Sequence, residues 1–428
     1  MTARPNPKLQ ATASRLEGLT LPESGAWLRH AREGALARVE AMGLPIRRDE
    51  YWRFTDPATL TAPEPTPAAP LSDGEGEPFA GVTPLRLVFV DGRFDAATSD
   101  ALDLDGLRIE RLAEAGALDL HWAQGLYGAL ETDGQSPVAR PLAALNTAFA
   151  TDGVLIHATA PVERPIHLIY RHEGETSDAM LHHVLKVDEG ASLTLLESGP
   201  AAARFNSVLE ADLAKGARVS HVRTQGRDHH RRTATHIFAR VAEASDFRSF
   251  TLTFNGVLTR NEIVVRFTGD DAKAHVAGAA VGDGDFHHDD TVFVTHGGEA
   301  CESRQVFKKV LRNGATGVFQ GKILVKPGAQ KTDGYQLSQA LLLDERSQFL
   351  AKPELEIYAD DVKCSHGSTA GAIDETALFY LRSRGVPAPE AMDLLTLSFL
   401  REALEEIADE RLAEDLSARL EAWLARRR

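Results

Sequence analysis

Cysteine, net positive charge and long hydrophobic runs are all scarce in this sequence. Two cysteines in 428 residues argue against a disulfide framework and fit a reducing cytoplasm. The net charge of -15 argues against nonspecific binding to nucleic acid and fits a protein that meets protein partners. No run approaches the roughly 20 apolar residues of a membrane span, and residues 1–10 show no apolar segment of a secretory signal. We therefore expect a cytoplasmic protein.

Nucleotide-binding and catalytic signatures are also absent. The stretch Gly317–Lys322 contains a Gly-Lys pair, but it lacks the glycine spacing of a P-loop and the Ser or Thr that follows it. Gly282 and Gly284 lack the third glycine of a dinucleotide fingerprint. No Ser-His-Asp or Cys-His order is marked by a strained-turn motif. The sequence predicts a chain that binds no nucleotide, so any ATP would be bound by another subunit.

The first region that the sequence does define is residues 1–150. Apolar residues between positions 28 and 42 recur at helical spacing and predict a helix. Residues 62–81 are rich in proline, acid and alanine, which predicts a linker. Residues 85–90 are β-formers followed by Asp-Gly, which predicts a strand and a turn. We expect an N-terminal helical region with a linker and a small strand pair.

The sequence pattern changes in residues 151–371, where short runs of β-formers are separated by turns. Strand-forming runs that repeat at a fixed period of about 20 to 50 residues indicate a solenoid. One coil buries its apolar face only when the next coil stacks on it. A β-sandwich with even strand lengths is the alternative. The turns recur at intervals of 26 to 28 residues, beginning at Gly190, Gly216, Ala244, Asp271 and Gly298.

Residues 372–428 return to helical patterns. Asp374 is placed to cap a helix, Gly385 to end it, and Pro387 to stop it from continuing. An apolar stripe follows on the next helix and predicts either packing onto the chain itself or a surface for a partner. The stripe consists of Leu397, Leu400, Leu404 and Ile407.

One of the two cysteines lies close to a histidine in a strand-like setting. Side chains alternate faces along a strand, so Cys364 and His366 would point to one side, and Lys363 and Ser365 to the other. A thiolate beside an imidazole suits zinc, copper or an iron–sulfur cluster. Two ligands rarely close a site, so further ligands would come from elsewhere in the fold or from another chain. The alternative makes Cys364 a small buried residue and His366 a hydrogen-bonded turn residue.

Other histidines occur as adjacent pairs, which make poor chelates because neighbouring strand residues face opposite ways. We expect these pairs on the surface or in turns, and we expect Cys301 to be buried and inert. The third pair lies beside Asp289 and Asp290 and is the best of them for adventitious metal. The pairs are His182-His183, His229-His230 and His287-His288.

Several of these segments together resemble the SufB/SufD family of iron–sulfur cluster assembly proteins. The resemblance spans nearly the whole chain and is densest from residue 320 to residue 385. Upstream it includes Asp49–Thr55, which looks like the family's N-terminal signature, and Leu145–Phe149, which looks like the entry to its core. The matching pieces of the dense part are Gly321–Ile323, Gly328–Thr332, Leu341–Leu343, Lys352–Ile357 and Phe379–Gly385.

Two departures place the chain on the SufD side of the family. Where the SufB type carries a cysteine thought to build the cluster, this chain has Ser338 or its neighbours. Where the SufB type has a His-Glu pair in the last strand, His366 is followed here by Gly367. The resemblance therefore implies a noncatalytic scaffold subunit, not an enzyme, that lacks the sulfur-accepting role. It also implies a mainly β fold with helical ends, in which a β-helix core is flanked by N-terminal and C-terminal helical regions.

The resemblance further implies partners and a cargo. The chain would pair with a SufB-type paralogue, or with itself when alone, and the C-terminal stripe would dock the ABC-type ATPase SufC. A transient iron–sulfur cluster or iron would bind at the SufB interface, with His366 as the first candidate ligand and Cys364 as the second. A stand-alone β-helical metal-binding or carbohydrate-active enzyme is the alternative, although an aromatic content of 7% offers little for a carbohydrate groove.

Overall fold

The computed structural model describes residues 6–70, 76–226 and 229–426. The N-terminal part contributes six α-helices within those residues. The predicted helix over positions 28–42 is confirmed as α2, which buries Leu28, Ala35 and Val39 against α6. The predicted linker runs partly outside the described residues, at 71–75. The helices are α1 (Pro7–Leu16), α2 (Ala26–Met42), α3 (Ala58–Thr61), α4 (Leu112–Ala115), α5 (Ala129–Gly134) and α6 (Pro141–Phe149).

Strands dominate the rest of the N-terminal half and the centre of the chain. The predicted strand over residues 85–90 is confirmed as the first of them. The strands are β1 (Leu85–Val90), β2 (Arg93–Phe94), β3 (Asp103–Leu104), β4 (Leu107–Arg111), β5 (Val154–Ala158), β6 (Ile166–Arg171), β7 (Asp178–Val187), β8 (Ser192–Gly199), β9 (Arg204–Leu213), β10 (Arg218–Gln225), β11 (Arg232–Val241), β12 (Asp246–Phe254), β13 (Leu258–Phe267), β14 (Lys273–Asp283), β15 (His287–His296), β16 (Glu302–Arg312), β17 (Thr316–Val325), β18 (Asp333–Leu342), β19 (Gln348–Ile357) and β20 (Lys363–Gly371).

These strands form two sheets of ten in the described residues. Sheet I has the order β2-β1-β6-β8-β10-β12-β14-β16-β18-β20, and sheet II the order β19-β17-β15-β13-β11-β9-β7-β5-β4-β3. From β5 onward the chain alternates between the sheets, and each strand pairs in parallel with the strand of the next coil. The five predicted turns precede β8, β10, β12, β14 and β16. The solenoid is therefore confirmed, and the sandwich alternative is wrong.

The solenoid interior is apolar where strands of sheet I begin and strands of sheet II end. Val219, Phe247 and Val276 of sheet I meet Val265 and Val294 of sheet II in one core cluster. Because parallel pairing is in register, like positions of successive coils stack and exclude water together. The result is a continuous core along the solenoid, as the fold class of the sequence analysis requires.

Helices cover the outer faces of both sheets. α6 lies over β7, β9 and β11 of sheet II. At the C-terminus three helices follow the last strand, and the second lies over β14 and β16 of sheet I. The Asp374 side chain accepts the backbone N–H groups of Thr376 and Ala377, so the predicted N-cap is confirmed. These helices are α7 (Glu375–Ser383), α8 (Ala388–Leu404) and α9 (Glu410–Arg426). Among the described helices, none has the length and apolarity needed to cross a membrane.

Candidate metal site at the end of the solenoid

The last coil leaves both sheets with an unpaired edge at the same end of the solenoid. β19 is the outermost strand of sheet II and β20 the outermost strand of sheet I. We call this the open end. β18 has its inner-face residue Gln336 fully buried, whereas β20 has no further coil to cover it and is largely exposed. Residues of β20 that would belong to the core in any earlier coil therefore meet solvent here.

Cys364 and His366 lie together on the inner face of β20. Parallel pairing puts Cys364 beside Gly334 and His366 beside Gln336. Gly334 and Gln336 alternate with Tyr335, whose ring packs outward with the cluster that contains α8. Cys364 and His366 therefore face the interior side of the open end, while Lys363 and Ser365 face outward.

Cys364 is half-buried against apolar residues of the penultimate coil. It packs with the cluster that contains Ile323 and Val325. A side-chain carbon added to Gly334 would lie 3.2 Å from its Sγ, so the glycine makes room for the thiol. Burial raises the pKa of the Cys364 thiol above its usual value. A metal ion would have to displace this proton, because the thiolate is the form that ligates.

His366 differs from Cys364 in its surroundings. Its side chain is exposed in the middle of β20, and within the described residues it makes no hydrogen bond or ion pair. The alternative of a hydrogen-bonded turn histidine is therefore wrong. Two potential ligands stand on one strand, and no group of three or more His, Cys, Asp or Glu residues that could hold a metal is found in the described part of the chain. The donor set suits iron or an iron–sulfur cluster, but one chain supplies only part of a coordination shell.

Ser338 occupies the next inner position on β18. It is buried, and its Oγ lies 3.0 Å from Oγ of Ser368 on β20. A hydroxyl pair of this kind joins the last two strands of sheet I but supplies no soft ligand. The position that the sequence analysis compared with a SufB-type cysteine is therefore structural in this chain.

The expectation for the histidine pairs is wrong for His182, His183 and His288, which are buried in strands. His182 is fully buried on the outer face of sheet II, where its Nε2 lies 2.8 Å from Glu210 and its ring stacks on Tyr127 at 4.1 Å. His183 is buried on the inner face, and burial lowers its pKa to about 4. Both faces of these strands are covered, the inner one by sheet I and the outer one by helices. Among the other paired histidines, His229 is also buried, but it lies in the connection between β10 and β11.

His288 belongs to a buried polar group that the sequence analysis missed. Lys309 reaches across the interior from sheet I, and its Nζ lies 2.7 Å from Nδ1 of His288 and 2.6 Å from Oδ2 of Asp290. Burial, followed by the Lys309 charge, lowers the pKa of His288 well below its usual value. The signal in the sequence is the alternation of polar residues at inner-face positions of β15 and β16. Cys301, by contrast, is buried as expected, and burial raises its pKa.

The apolar stripe that runs along α8 and into the turn after it does not form a free partner surface, which corrects that expectation. Its four residues are buried against the outer face of sheet I, in a cluster with Phe250, Leu252 and Val306. A periodic stripe predicts burial but does not say what covers it, and here the chain's own solenoid does. A partner could reach the stripe only by displacing the helix. The residues are Leu397, Leu400, Leu404 and Ile407.

The exposed apolar residues of the C-terminal region lie elsewhere. Phe379 and Tyr380 of α7 are 69% and 61% exposed, and Leu394 of α8 is 45% exposed. Phe379 and Tyr380 belong to a segment that carries the family resemblance, so the sequence held a signal for them. Large exposed aromatic side chains are uncommon on a surface that meets only water, and they are typical of interfaces.

The N-terminal signature segment packs on the last coils of sheet II. The Tyr51 ring lies 5.1 Å from that of Phe293, and Nζ of Lys352 lies 4.0 Å above the Tyr51 ring. The guanidinium of Arg260 lies 4.0 Å above the Trp52 ring. This segment therefore connects the N-terminal region to β19 and supports the outer face of the coil that forms the open end.

Comparison with known proteins agrees with this architecture. Residues 170–399 match the family model described as "SUF system FeS cluster assembly, SufBD core domain". The iron–sulfur cluster assembly protein SufD of Escherichia coli is 29% identical over 90% of this chain and 90% of its own length. An iron–sulfur cluster assembly SufBD family protein of Synechocystis is 30% identical over 89% of this chain and 87% of its own. SufD of Bacillus subtilis is 28% identical over 68% of each chain.

Proposed function

Since the chain belongs to the SufB/SufD family of iron–sulfur cluster assembly proteins, we propose that it is the noncatalytic, SufD-like scaffold subunit of a cytoplasmic SufBCD-type complex. Its relatives are named as assembly proteins and not as enzymes. That naming gives no support to the alternative of a stand-alone carbohydrate-active enzyme. The observation that carries the proposal is the open end, where two long strands each have one edge without a neighbour in the described residues, beside two potential metal ligands.

The open end is the surface for the SufB-type paralogue in this proposal. A long unpaired strand presents backbone N–H and C=O groups that pair readily with another chain. β20 offers nine residues without a proline, whereas β19 is interrupted by Pro353, whose nitrogen has no proton to donate. We therefore assign the main contact to β20. A second copy of this chain could occupy the same edge when the paralogue is absent.

Iron, or a nascent iron–sulfur cluster, is the cargo at that interface. His366 is the first ligand because it is exposed and has no competing hydrogen bond in the described residues. Cys364 is the second ligand because its half-buried thiol must first lose a proton. Four ligands complete an iron–sulfur site, so the partner chain supplies the rest. Sharing the shell in this way makes cargo binding depend on assembly of the two subunits.

A separate subunit of the SufC type supplies ATP hydrolysis, because this sequence has no P-loop. We place its docking surface on the exposed side of α7 and α8, at Phe379, Tyr380 and Leu394. The underside of α8 is fixed to the solenoid, and Arg304 of β16 donates to Glu406 at 2.8 Å just beyond the helix. Movement of the ATPase would therefore be transmitted to sheet I.

Co-expression with SufB-type and SufC-type partners tests the proposal. Size-exclusion chromatography should show the three chains in one complex, and Ala370→Lys should remove the SufB-type chain from it. Ala370 is exposed on β20, and a lysine on an edge strand opposes pairing. Ala97→Lys, at an exposed position near β2, is the matched control and should leave the complex intact. Elution of the unaltered chain apart from both partners would contradict the proposal.

A further inference from the structure

A ladder of amide side chains leads from the interior of the solenoid to His366. In the parallel register of sheet I, Gln305 of β16 lies beside Gln336 of β18, and Gln336 lies beside His366 of β20. All three occupy the inner face. Because β20 is the edge strand, Gln336 is the only in-register neighbour of His366 within the described sheet.

The side chain of Gln336 is held in one place. It is fully buried, and its Nε2 donates to Oε1 of Gln305 at 2.9 Å. Across the interior it lies over Gly321, where a side-chain carbon would come within 1.9 Å of Nε2. The glycine in sheet II therefore creates the space that this amide fills. Any larger residue at Gly321 would push the amide out of the ladder.

The oxygen of the same amide is left without a partner. Oε1 of Gln336 is buried and accepts no hydrogen bond in the described structure. The nitrogen of the amide is directed toward Gln305 of β16, and the strand on the other side of β18 is β20. A buried carbonyl oxygen without a donor is costly and rare, and such a group calls for a specific reason. On the β20 side its in-register neighbour is His366, whose ring carries an N–H and makes no hydrogen bond within the described residues.

We propose that Gln336 is the positioning residue of His366: its Oε1 accepts the N–H of one ring nitrogen and so directs the other nitrogen to the iron or cluster at the open end. Metal-ligating histidines generally donate their second nitrogen to an oxygen in this way, which fixes the tautomer and the ring orientation. The inference rests on the proposed function, because it takes His366 as a ligand. It adds a residue that the motif around Cys364 does not contain.

The test begins with the chain alone, labelled with ¹⁵N-histidine and studied by NMR at pH 8. The His366 signals are identified as those lost in His366→Ala. We expect one tautomer to predominate in the unaltered chain, a mixture in Gln336→Leu, and recovery of the single tautomer in Gln336→Glu, which keeps an acceptor. An unchanged His366 spectrum in Gln336→Leu would overturn the inference, and so would failure of Gln336→Glu to restore it, because that result would mean that the ring needs a donor.

Iron affinity of the assembled complex gives the second readout, measured by competition with a chelator. Gln336→Leu should weaken iron binding by about 10–100-fold, the usual effect of losing such a support, and Gln336→Glu should recover most of it. Ser338→Ala, which removes the other inner-face contact to β20, is the matched control and should bind as the unaltered complex does. Circular dichroism verifies that each variant is folded.

The same measurements distinguish a wrong ligand assignment for His366 from a wrong positioning role for Gln336. If His366→Ala keeps unaltered iron affinity, the proposed ligand is wrong and the positioning role falls with it. If His366→Ala loses affinity while Gln336→Leu keeps both the affinity and the tautomer, only the positioning role is wrong.

Discussion

The two ends of the solenoid finish their sheets in opposite ways. Where the sheets begin, the edge strands β2 and β3 are two residues long and turn back antiparallel on their neighbours. Where the sheets finish, β19 and β20 are ten and nine residues long, and each has a neighbour on one side only within the described part of the chain. Short, reversed edges protect against pairing with another chain, and long parallel edges invite it. One end protects its sheet edges, and the other leaves them open for the pairing that we propose.

The largest effect on stability should come from the end where the sheets begin. Phe89 of β1 is buried among Phe94 and Tyr170. Replacing it by alanine leaves a cavity that neighbouring coils cannot fill, so Phe89→Ala should lower the free energy of unfolding by about 3–5 kcal/mol. Urea denaturation measures this loss. A loss below about 1 kcal/mol would mean that this end is not a tightly packed cap.

The two faces of the C-terminal helices should separate stability from binding. Leu400→Ala should lower the free energy of unfolding by about 2–5 kcal/mol, because Leu400 is fully buried against sheet I. Phe379→Asp should leave unfolding nearly unchanged and abolish capture of the SufC-type ATPase in a pull-down. Glu375→Gln, at an exposed position on the same helix, is the control for α7. Full capture of the ATPase by Phe379→Asp would remove α7 from the docking surface.

How much of this fold the sequence predicts depends on whether a residue pattern also shows which part of the molecule covers those residues. Regular turns such as Gly190 and Gly216 predict the solenoid because each coil covers an identical coil. The stripe at Leu400 predicts a buried helix face but leaves open whether the chain or a partner covers it. The structure shows that the chain itself covers the stripe, because the outer face of sheet I is apolar at Phe250 and Leu252.

The candidate site likewise has features that the sequence predicts and features that it does not. Alternation along a strand is a local rule, so the common face of Cys364 and His366 follows from their spacing. The burial of His182 and the role of Lys309 depend on which elements lie opposite them. Glu210 is 28 residues from His182, and His288 is 21 residues from Lys309, so neither contact can be read from a single strand. Gln336 was missed for this reason, because its importance comes from Gly321 in the other sheet and His366 on the next strand.

The buried interior should also make stability depend on pH. Nδ1 of His183 accepts the N–H of Val154, and burial lowers the pKa of this folded-state imidazole to about 4. The unfolded chain, with a histidine pKa of about 6.5, binds more protons between these values. The free energy of unfolding should therefore fall as pH drops from about 6.5 to about 4.

Denaturation of His183→Gln isolates this contribution. Between pH 7 and pH 5 the variant should lose about 1–2 kcal/mol less stability than the unaltered chain, since each pKa unit corresponds to about 1.4 kcal/mol. Equal losses in the two proteins would show that His183 is not the group that takes up the proton.

The smallest effect on stability should come from the open end itself. His366 is exposed and makes no hydrogen bond within the described residues, so His366→Ala should change the free energy of unfolding by less than about 0.5 kcal/mol. Urea denaturation of the chain alone measures it. A loss above about 1 kcal/mol would show that His366 supports the fold and is not held free for a ligand.

The central claim is that the open end of this chain contributes His366 to an iron site completed by a SufB-type partner. The most direct test is the iron and sulfide content, with the visible absorbance, of anaerobically purified complexes carrying His366→Ala or Cys364→Ser. We predict that both complexes assemble, that His366→Ala loses most of its cluster, and that Cys364→Ser retains more. A His366→Ala complex that assembles normally and holds as much iron and sulfide as the unaltered one would contradict the account.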